Sequence, residues 1–256
     1  MKAISFVLPA YNEEGNVLRA VQSVVDVAKR YCSEYEVIVV DDGSTDRTAE
    51  LVTSAAKDIP ELRLVRHAGN RGYGEALKSG LEATRLEWVF FTDADNQFDL
   101  DDLRLLLPWT AQADVIVGYR KDRQDPLGRK AGAWVWNRLV RMLFCVPVRD
   151  VDCAFKLFRR STLGDLDIQS GGAMVSTEIM VKLHRAGLAI IELGVTHLPR
   201  TAGKAHGANP RVVGRALVEL ARMYRRLNRL GPGPSALPAP GNVTGRRSVV
   251  RGEGEI

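Results

Sequence analysis

The chain alternates short apolar runs with longer segments in which apolar residues recur every three or four positions. The runs predict buried strands and the longer segments predict amphipathic helices, because side chains repeat every two residues in a strand and about every 3.6 in a helix. Predicted strands cover residues 4–8, 37–40, 62–65, 88–92, 115–117, 151–159 and 188–193. Predicted helices cover about 17–28, 46–57, 75–85, 100–107, 128–148, 176–186 and 210–230. This alternation predicts an α/β fold with a mostly parallel central sheet and helices on both faces.

Polar clusters directly follow three of the predicted strands, at residues 11–13, 41–42 and 93–95. Parallel α/β sheets bind their ligands at the carboxyl ends of the strands. The placement of these clusters, more than any one of them, therefore predicts a functional site along this edge of the sheet.

Asp93 and Asp95 follow the buried run 88–92 and are one residue apart. Alternate residues of an extended segment point the same way, so both carboxylates can face one point. Such oxygen ligands suit Mg²⁺ or Mn²⁺, which share their coordination shell with substrate phosphates. Taken alone, the short pattern leaves a second interpretation equally open, in which Asp93 caps the next helix and Asp95 is solvated.

Composition narrows the function only slightly. The 256 residues are 45% hydrophobic and carry a formal net charge of +5, which suits phosphorylated small molecules, anionic lipid or nucleic acid without selecting one. The three cysteines are widely spaced, which argues against a zinc site and favours a reducing compartment. Neither a signal peptide nor a run of about 18 apolar residues is evident, so no membrane span is predicted.

Two basic segments follow residue 120. Residues 128–148 combine arginines with Trp134 and Trp136, a pattern typical of a helix at a membrane surface and equally of a helix covering the sheet edge. The last predicted helix, 210–230, is rich in arginine. Residues 231–256 are rich in proline and glycine and are predicted to be a disordered tail.

Several motifs together resemble inverting glycosyltransferase family 2. In order and spacing they are residues 8–14 (LPAYNEE), 39–46 (VVDDGSTD) and 93–97 (DADNQ). Residues 70–74 (NRGYG), 151–158 (VDCAFKLF) and 199–204 (PRTAGK) further resemble the polyprenyl- or dolichyl-phosphate sugar transferases of that family, such as dolichol-phosphate mannosyltransferase. The resemblance covers about residues 3–230.

The resemblance implies a single GT-A domain over residues 1–230, with a nucleotide-sugar half at about 1–120 and an acceptor half at about 121–230. It implies a UDP- or GDP-sugar donor and a Mg²⁺ or Mn²⁺ cofactor. The donor-binding residues implied are Pro9, Tyr11, Glu13, Val39, Asp41, Asp93, Ala94, Asp95, Arg120, Arg200 and Lys204. Asp93, Asp95 and Gln97 would hold the metal, Arg120 and Arg129 the acceptor phosphate, and the catalytic set would be Asp93, Asp95, Arg120 and Arg200.

The acceptor decides which chemistry is needed. A sugar hydroxyl needs a general base, for which Asp152 is the candidate, whereas a phosphate monoester is already ionised near neutral pH and needs cations. The leading hypothesis is transfer to polyprenyl or dolichyl phosphate by an enzyme in the cytoplasm, peripheral at the inner face of the membrane. The alternatives are a soluble family 2 enzyme with a hydroxyl acceptor and a non-catalytic nucleotide-sugar-binding module. No nucleic acid partner is predicted, and the sugar, the base and the oligomeric state stay open.

Overall fold

A seven-stranded sheet forms the centre of the computed structural model, which describes residues 1–121, 123, 127–164, 166–199 and 210–229. The strands are β1 (Lys2–Ala10), β2 (Cys32–Asp41), β3 (Leu62–Arg66), β4 (Trp88–Thr92), β5 (Val115–Lys121), β6 (Phe155–Arg159) and β7 (Ile190–Thr196). The helices are α1 (Val17–Tyr31), α2 (Thr48–Ala55), α3 (Tyr73–Glu82), α4 (Leu103–Leu106), α5 (Leu127–Phe144), α6 (Val175–Arg185) and α7 (Pro210–Arg229). The tail predicted at 231–256 lies outside the described residues.

The strand order β3-β2-β1-β4-β6-β5-β7 confirms the predicted mostly parallel sheet. Only β6 runs antiparallel to its neighbours, β4 and β5. The parallel strands β2, β1 and β4 bring residues 41, 10 and 92 to the same edge, and Thr92 pairs with Phe155 at the start of β6. The predicted polar clusters therefore share one edge with the turn that precedes β6.

Close packing fixes the strands that carry this edge. Phe90 of β4 meets Phe155 edge to face, with ring centroids 4.7 Å apart. Ile38 and Val40 pack with Ala76 of α3, whereas Val37 and Val39 belong to the larger core that contains the buried valines of α1. Because alternate residues of β2 point to opposite faces, helices cover both sides of the sheet, as predicted.

The predicted strand 151–159 is wrong over its first four residues, which form a turn. The amides of Arg149 and Asp150 donate to Glu192 Oε1 at 2.5 and 3.3 Å, and the amide of Val151 donates to Asn137 Oδ1 at 2.9 Å. Side chains from β7 and α5 thus satisfy backbone donors that a strand would have used in the sheet. Elsewhere the elements lie where they were predicted, with ends shifted by up to about four residues, and β2 begins five residues earlier.

Candidate active site at the carboxyl edge of the sheet

The loops after β1 and β2 lock together above the sheet. Asn12, in the left-handed conformation at φ 55°, donates its amide to Ser44 Oγ at 2.9 Å and accepts from the Thr45 amide at 2.8 Å. Glu13 donates its amide to Thr48 Oγ1 and accepts from Asn16 Nδ2 at 2.6 Å. The loop is therefore preformed rather than open, and it leaves the neighbouring Tyr11 ring exposed.

Asp41 ends β2 as a fully buried carboxylate. Its Oδ1 accepts from the Ser44 amide at 3.0 Å, and Arg66 Nε lies 3.3 Å from its Oδ2. That Oδ2 receives no hydrogen bond from the described residues, although it lies within ion-pair distance of Arg66. A buried acceptor of this kind is costly unless a ligand donates to it. Pro9 and Val39 are buried on the neighbouring strands β1 and β2.

Asp42 holds the loop that precedes α3. Its carboxylate accepts from the amides of Arg71 at 2.9 Å and Gly72 at 2.8 Å, and it lies 2.7 Å from His67 Nδ1. The other ring nitrogen of His67 lies 2.9 Å from Ser79 Oγ. This buried chain was missed from the sequence, since His67 stands alone there without any motif.

Asp93 and Asp95 lie together after β4, as predicted. Tyr73 donates to Asp93 Oδ1 at 2.9 Å, and Asp95, which is 7% exposed, accepts from the Gln97 amide at 3.2 Å. Burial, followed by the charge of Asp95, raises the pKa of Asp93 to about 7. Two crowded carboxylates whose ionisation is opposed in this way are suited to a divalent cation, which would neutralise both.

The alternative in which Asp93 caps a helix is wrong. The next helical turn begins at Leu100, and its cap is Asp99, whose side chain accepts from the Asp101 amide at 3.0 Å. Within the described ranges, no group of three or more histidine, cysteine, aspartate or glutamate side chains could hold a metal ion. Asp93 and Asp95, with the side-chain oxygen of Gln97, fit a cation that takes its remaining ligands from substrate phosphates and water.

Gln97 connects this segment to the chain after β7. Its carbonyl accepts from the Leu198 amide at 2.8 Å, and its side chain lies 3.5 Å from the Leu198 carbonyl. Arg200 and Lys204 themselves lie outside the described residues, as does the side chain of Arg129 in the first turn of α5.

Arg120 forms a bidentate ion pair with Asp150. Its Nε and one Nη lie 2.6 and 2.7 Å from the two carboxylate oxygens, and its side chain is 14% exposed. Burial opposes the charge on Arg120, yet the bond to Asp150 raises its pKa above the ordinary value. The side chain predicted to hold an acceptor phosphate is therefore engaged in anchoring the turn before β6.

Two further charged residues of the site come from this turn and from β6. Lys156 is 1% exposed; its ammonium group donates to the Cys153 carbonyl and lies 5.1 Å from the ring centroid of Phe91. Asp152 is exposed at the surface. Partial desolvation of its carboxylate by neighbouring protein atoms, followed by the charge of Asp150, raises its pKa to about 6. Lys156 was not selected as a site residue from the sequence, although a lysine within the apolar run 155–158 is the signal that could have identified it.

The model of the family described as glycosyl transferase family 2 matches residues 5–167. The chain belongs to glycosyl transferase family 2. It is 31% identical to an undecaprenyl-phosphate 4-deoxy-4-formamido-L-arabinose transferase from Pectobacterium carotovorum, over 79% of this chain and 62% of that protein. It is 30% identical to a dolichyl-phosphate beta-glucosyltransferase from Trichomonas vaginalis, over 75% of this chain and 64% of that protein. This family 2 chain thus spans less than two thirds of either relative.

Solved structures confirm the GT-A-like fold of this family 2 chain. Mannosyl-3-phosphoglycerate synthase from Rubrobacter xylanophilus superposes with a TM-score of 0.70 at 21% identity, covering 94% of this chain and 79% of that chain. Glucosyl-3-phosphoglycerate synthase from Mycobacterium tuberculosis, in complex with Mn²⁺ and UDP-glucose, gives a TM-score of 0.62 at 23% identity, covering 89% and 77%. At these identities the likeness establishes the fold alone.

Proposed function

We propose that this protein transfers one sugar from a UDP- or GDP-sugar to a polyprenyl or dolichyl phosphate, by in-line displacement with inversion. The observation that carries the proposal is the pair of crowded carboxylates, Asp93 and Asp95, at the same sheet edge as the buried Asp41. The names of the two family 2 relatives, which are polyprenyl- and dolichyl-phosphate transferases, support this choice of acceptor.

The donor would lie across the ends of β1, β2 and β4. Asp41 Oδ2 would accept a hydrogen bond from an N–H of the base, and the exposed Tyr11 would pack on the nucleoside. Asp93 and Asp95, with Gln97, would hold Mg²⁺ or Mn²⁺, which when bound neutralises charge on the departing nucleoside diphosphate. Tyr73 keeps Asp93 oriented through the bond to Oδ1.

The acceptor phosphate would enter from the side of the turn that precedes β6. A phosphate is already anionic and needs only positioning by cations, the role proposed for Arg129, Arg200 and Lys204. Arg120 would contribute its charge and its remaining N–H groups while it anchors Asp150.

Peripheral membrane contact would place the enzyme next to its lipid. On α5 the side chains of Trp134, Val135 and Met142 are 63%, 58% and 70% exposed, whereas Trp136 packs against the core. Exposed arginines on the same helix, Arg138 and Arg141, suit anionic lipid heads. Among the described helices, none is long and apolar enough to cross a membrane.

The last helix contacts α5 and carries exposed apolar and basic residues of its own. Tyr224 of α7 meets Phe144 of α5 with ring centroids 5.8 Å apart, and Leu217, Val218 and Arg222 are exposed on α7. We therefore propose that α5 and α7 together contact the cytoplasmic face of the membrane.

A second candidate function is transfer to a hydroxyl acceptor, which Asp152 favours. A general base works best when its pKa lies near the operating pH, and the pKa of Asp152 is raised to about 6. In that case Asp152 would accept the proton of the attacking hydroxyl.

A donor screen tests the proposal first. Thermal shifts with Mn²⁺ across UDP- and GDP-sugars should show one stabilising donor, and the shift should vanish with EDTA and in Asp95→Asn. Asp99→Asn is the matched control, because Asp99 lies on the same segment but caps a helical turn. A donor-induced thermal shift that persists with EDTA, or in Asp95→Asn, would contradict the assignment of these carboxylates as metal ligands.

A further inference from the structure

The buried Glu178 and the partly exposed Arg226 form a polar junction away from the carboxylates of the candidate active site. Glu178 of α6 is fully buried, and its Oε1 accepts from Arg226 of α7 at 2.5 Å and from Lys182 at 2.9 Å. Its Oε2 accepts from the amides of Ser170 at 2.7 Å and Gln169 at 3.2 Å. Arg226 also donates to Gln169 Oε1 at 2.6 Å. One buried carboxylate thus joins α7 to the backbone of residues 169–170.

The other side of this segment lies directly on the start of α3. The Gly171 carbonyl accepts from the Gly74 amide at 3.1 Å. A Cβ at Gly74 would lie 2.5 Å from the Gly171 carbonyl carbon and 2.6 Å from the Ser170 oxygen. A Cβ at Gly72, where φ is +100°, would lie 2.8 Å from the Gly171 oxygen. Backbone meets backbone here, so a shift of residues 169–171 must move the first turn of α3.

Tyr73 stands between these two glycines and donates to Asp93 Oδ1 at 2.9 Å. We infer that Glu178 and Arg226 are positioning residues that hold Tyr73 against Asp93, so that the donor site depends on the docking of α7. The inference deepens and rests on the proposed function, because it adds a control of the same site by the helix proposed to contact lipid. Packed segments transmit such shifts because they are not continuously deformable.

The lysine at the junction cannot replace the arginine. Lys182 contacts Glu178 from one turn further along α6, and it does not reach α7 in any described contact. Among the described contacts, Arg226 is the one that bonds both Glu178 and Gln169, which a planar guanidinium with several donors allows. Removing Arg226 should therefore break the link to α7 and free the Gln169 side chain, which loosens the segment, while Lys182 stays as the cationic partner of Glu178.

Arg226→Gln tests the inference, with Arg225→Gln as the control on an exposed neighbour of the same helix. We expect the Kd of the Mn²⁺–UDP or Mn²⁺–GDP complex to rise about fivefold to tenfold in Arg226→Gln, at the lower end of coupling between linked sites. Amide hydrogen exchange should rise at residues 71–75 and stay unchanged in the β4 core. Arg226→Lys should restore part of the affinity, and Glu178→Gln should repeat the loss.

A double-mutant cycle with Tyr73→Phe separates positioning from a general loss of stability. If Arg226 acts through Tyr73, Arg226→Gln should cost no further nucleotide affinity in the Tyr73→Phe background, whereas independent effects would add. Additive losses, or exchange at residues 71–75 equal to that of Arg225→Gln, would overturn the inference. Failure of the wild-type protein to bind either nucleotide with Mn²⁺ would instead overturn the proposed function, and the exchange comparison alone would then decide the positioning role.

Discussion

The ion pair between Arg120 and Asp150 should contribute measurably to the free energy of unfolding. Asp150→Asn keeps the shape of the side chain and removes its charge. The Arg120 guanidinium then has no counter-charge, although its side chain is 14% exposed and that of residue 150 is 10% exposed. Breaking a buried pair from one side costs about 3–5 kcal/mol. Because the amide oxygen can still accept one of the two hydrogen bonds, we expect about 3 kcal/mol, or a fall in Tm of roughly 6–12 °C for a chain of this size.

Urea unfolding followed by circular dichroism measures this loss. Asp114→Asn is the matched control: Arg159 Nε lies 2.9 Å from Asp114, but that arginine is 37% exposed, so the loss should stay below about 1 kcal/mol. Burial alone would raise the pKa of Asp150, but the bond to Arg120 outweighs it and lowers the pKa. The stabilisation is therefore present at neutral pH and is lost as the pH falls through that lowered pKa. If Asp150→Asn costs no more than Asp114→Asn, Arg120 is not anchored and the reasoning fails.

Four more predictions, from three substitutions, concern the turn, β6 and α3. Lys156→Met should raise the pKa of Asp152 above about 6, because the lysine charge lowers it, and carboxyl ¹³C NMR would show an unchanged value if this is wrong. Asp152→Asn should leave transfer to a phosphate acceptor nearly intact, whereas a loss of about 10²–10⁴-fold would assign Asp152 as a base. Folding raises the pKa of Asp152 above the ordinary 3.8, so its ionisation in the folded protein costs stability. The unfolding free energy of wild type should therefore fall relative to that of Asp152→Asn as the pH rises from 4 to 7. Gly80→Ala should cost about 1–3 kcal/mol by overpacking, because its Cβ would lie 2.3 Å from Val7 Cγ1, whereas Gly132→Ala, which meets open space on α5, should not destabilise.

The sequence predicts most elements of this fold because its strands are short buried runs. The run at β4 ends in charge at Asp93, which located both the strand and the site. The turn at residues 151–154 was predicted as strand because its apolar and small residues are compatible with either structure. The turn is fixed by residues that are distant in sequence. The side chains of Glu192 and Asn137 accept hydrogen bonds from backbone amides at its start, and a local sequence pattern cannot reveal these partners.

The same limit applies to the site. Asp41, Asp93 and Asp95 could be placed by strand ends alone, since a parallel sheet brings those ends together. The partners of these groups could not, because Tyr73 is 20 residues from Asp93 and Arg120 is 30 residues from Asp150. Arg120 was therefore predicted to bind phosphate, although two of its guanidinium nitrogens already donate to Asp150.

Transfer of labelled sugar to polyprenyl phosphate in vesicles tests the proposed reaction itself. With Mn²⁺ and the donor selected by thermal shift, we predict that label enters the lipid fraction, that EDTA abolishes the transfer, and that Asp95→Asn is inactive while Asp99→Asn is not. Label that never reaches the lipid, with Mn²⁺-dependent transfer to a hydroxyl acceptor in its place, would contradict the account.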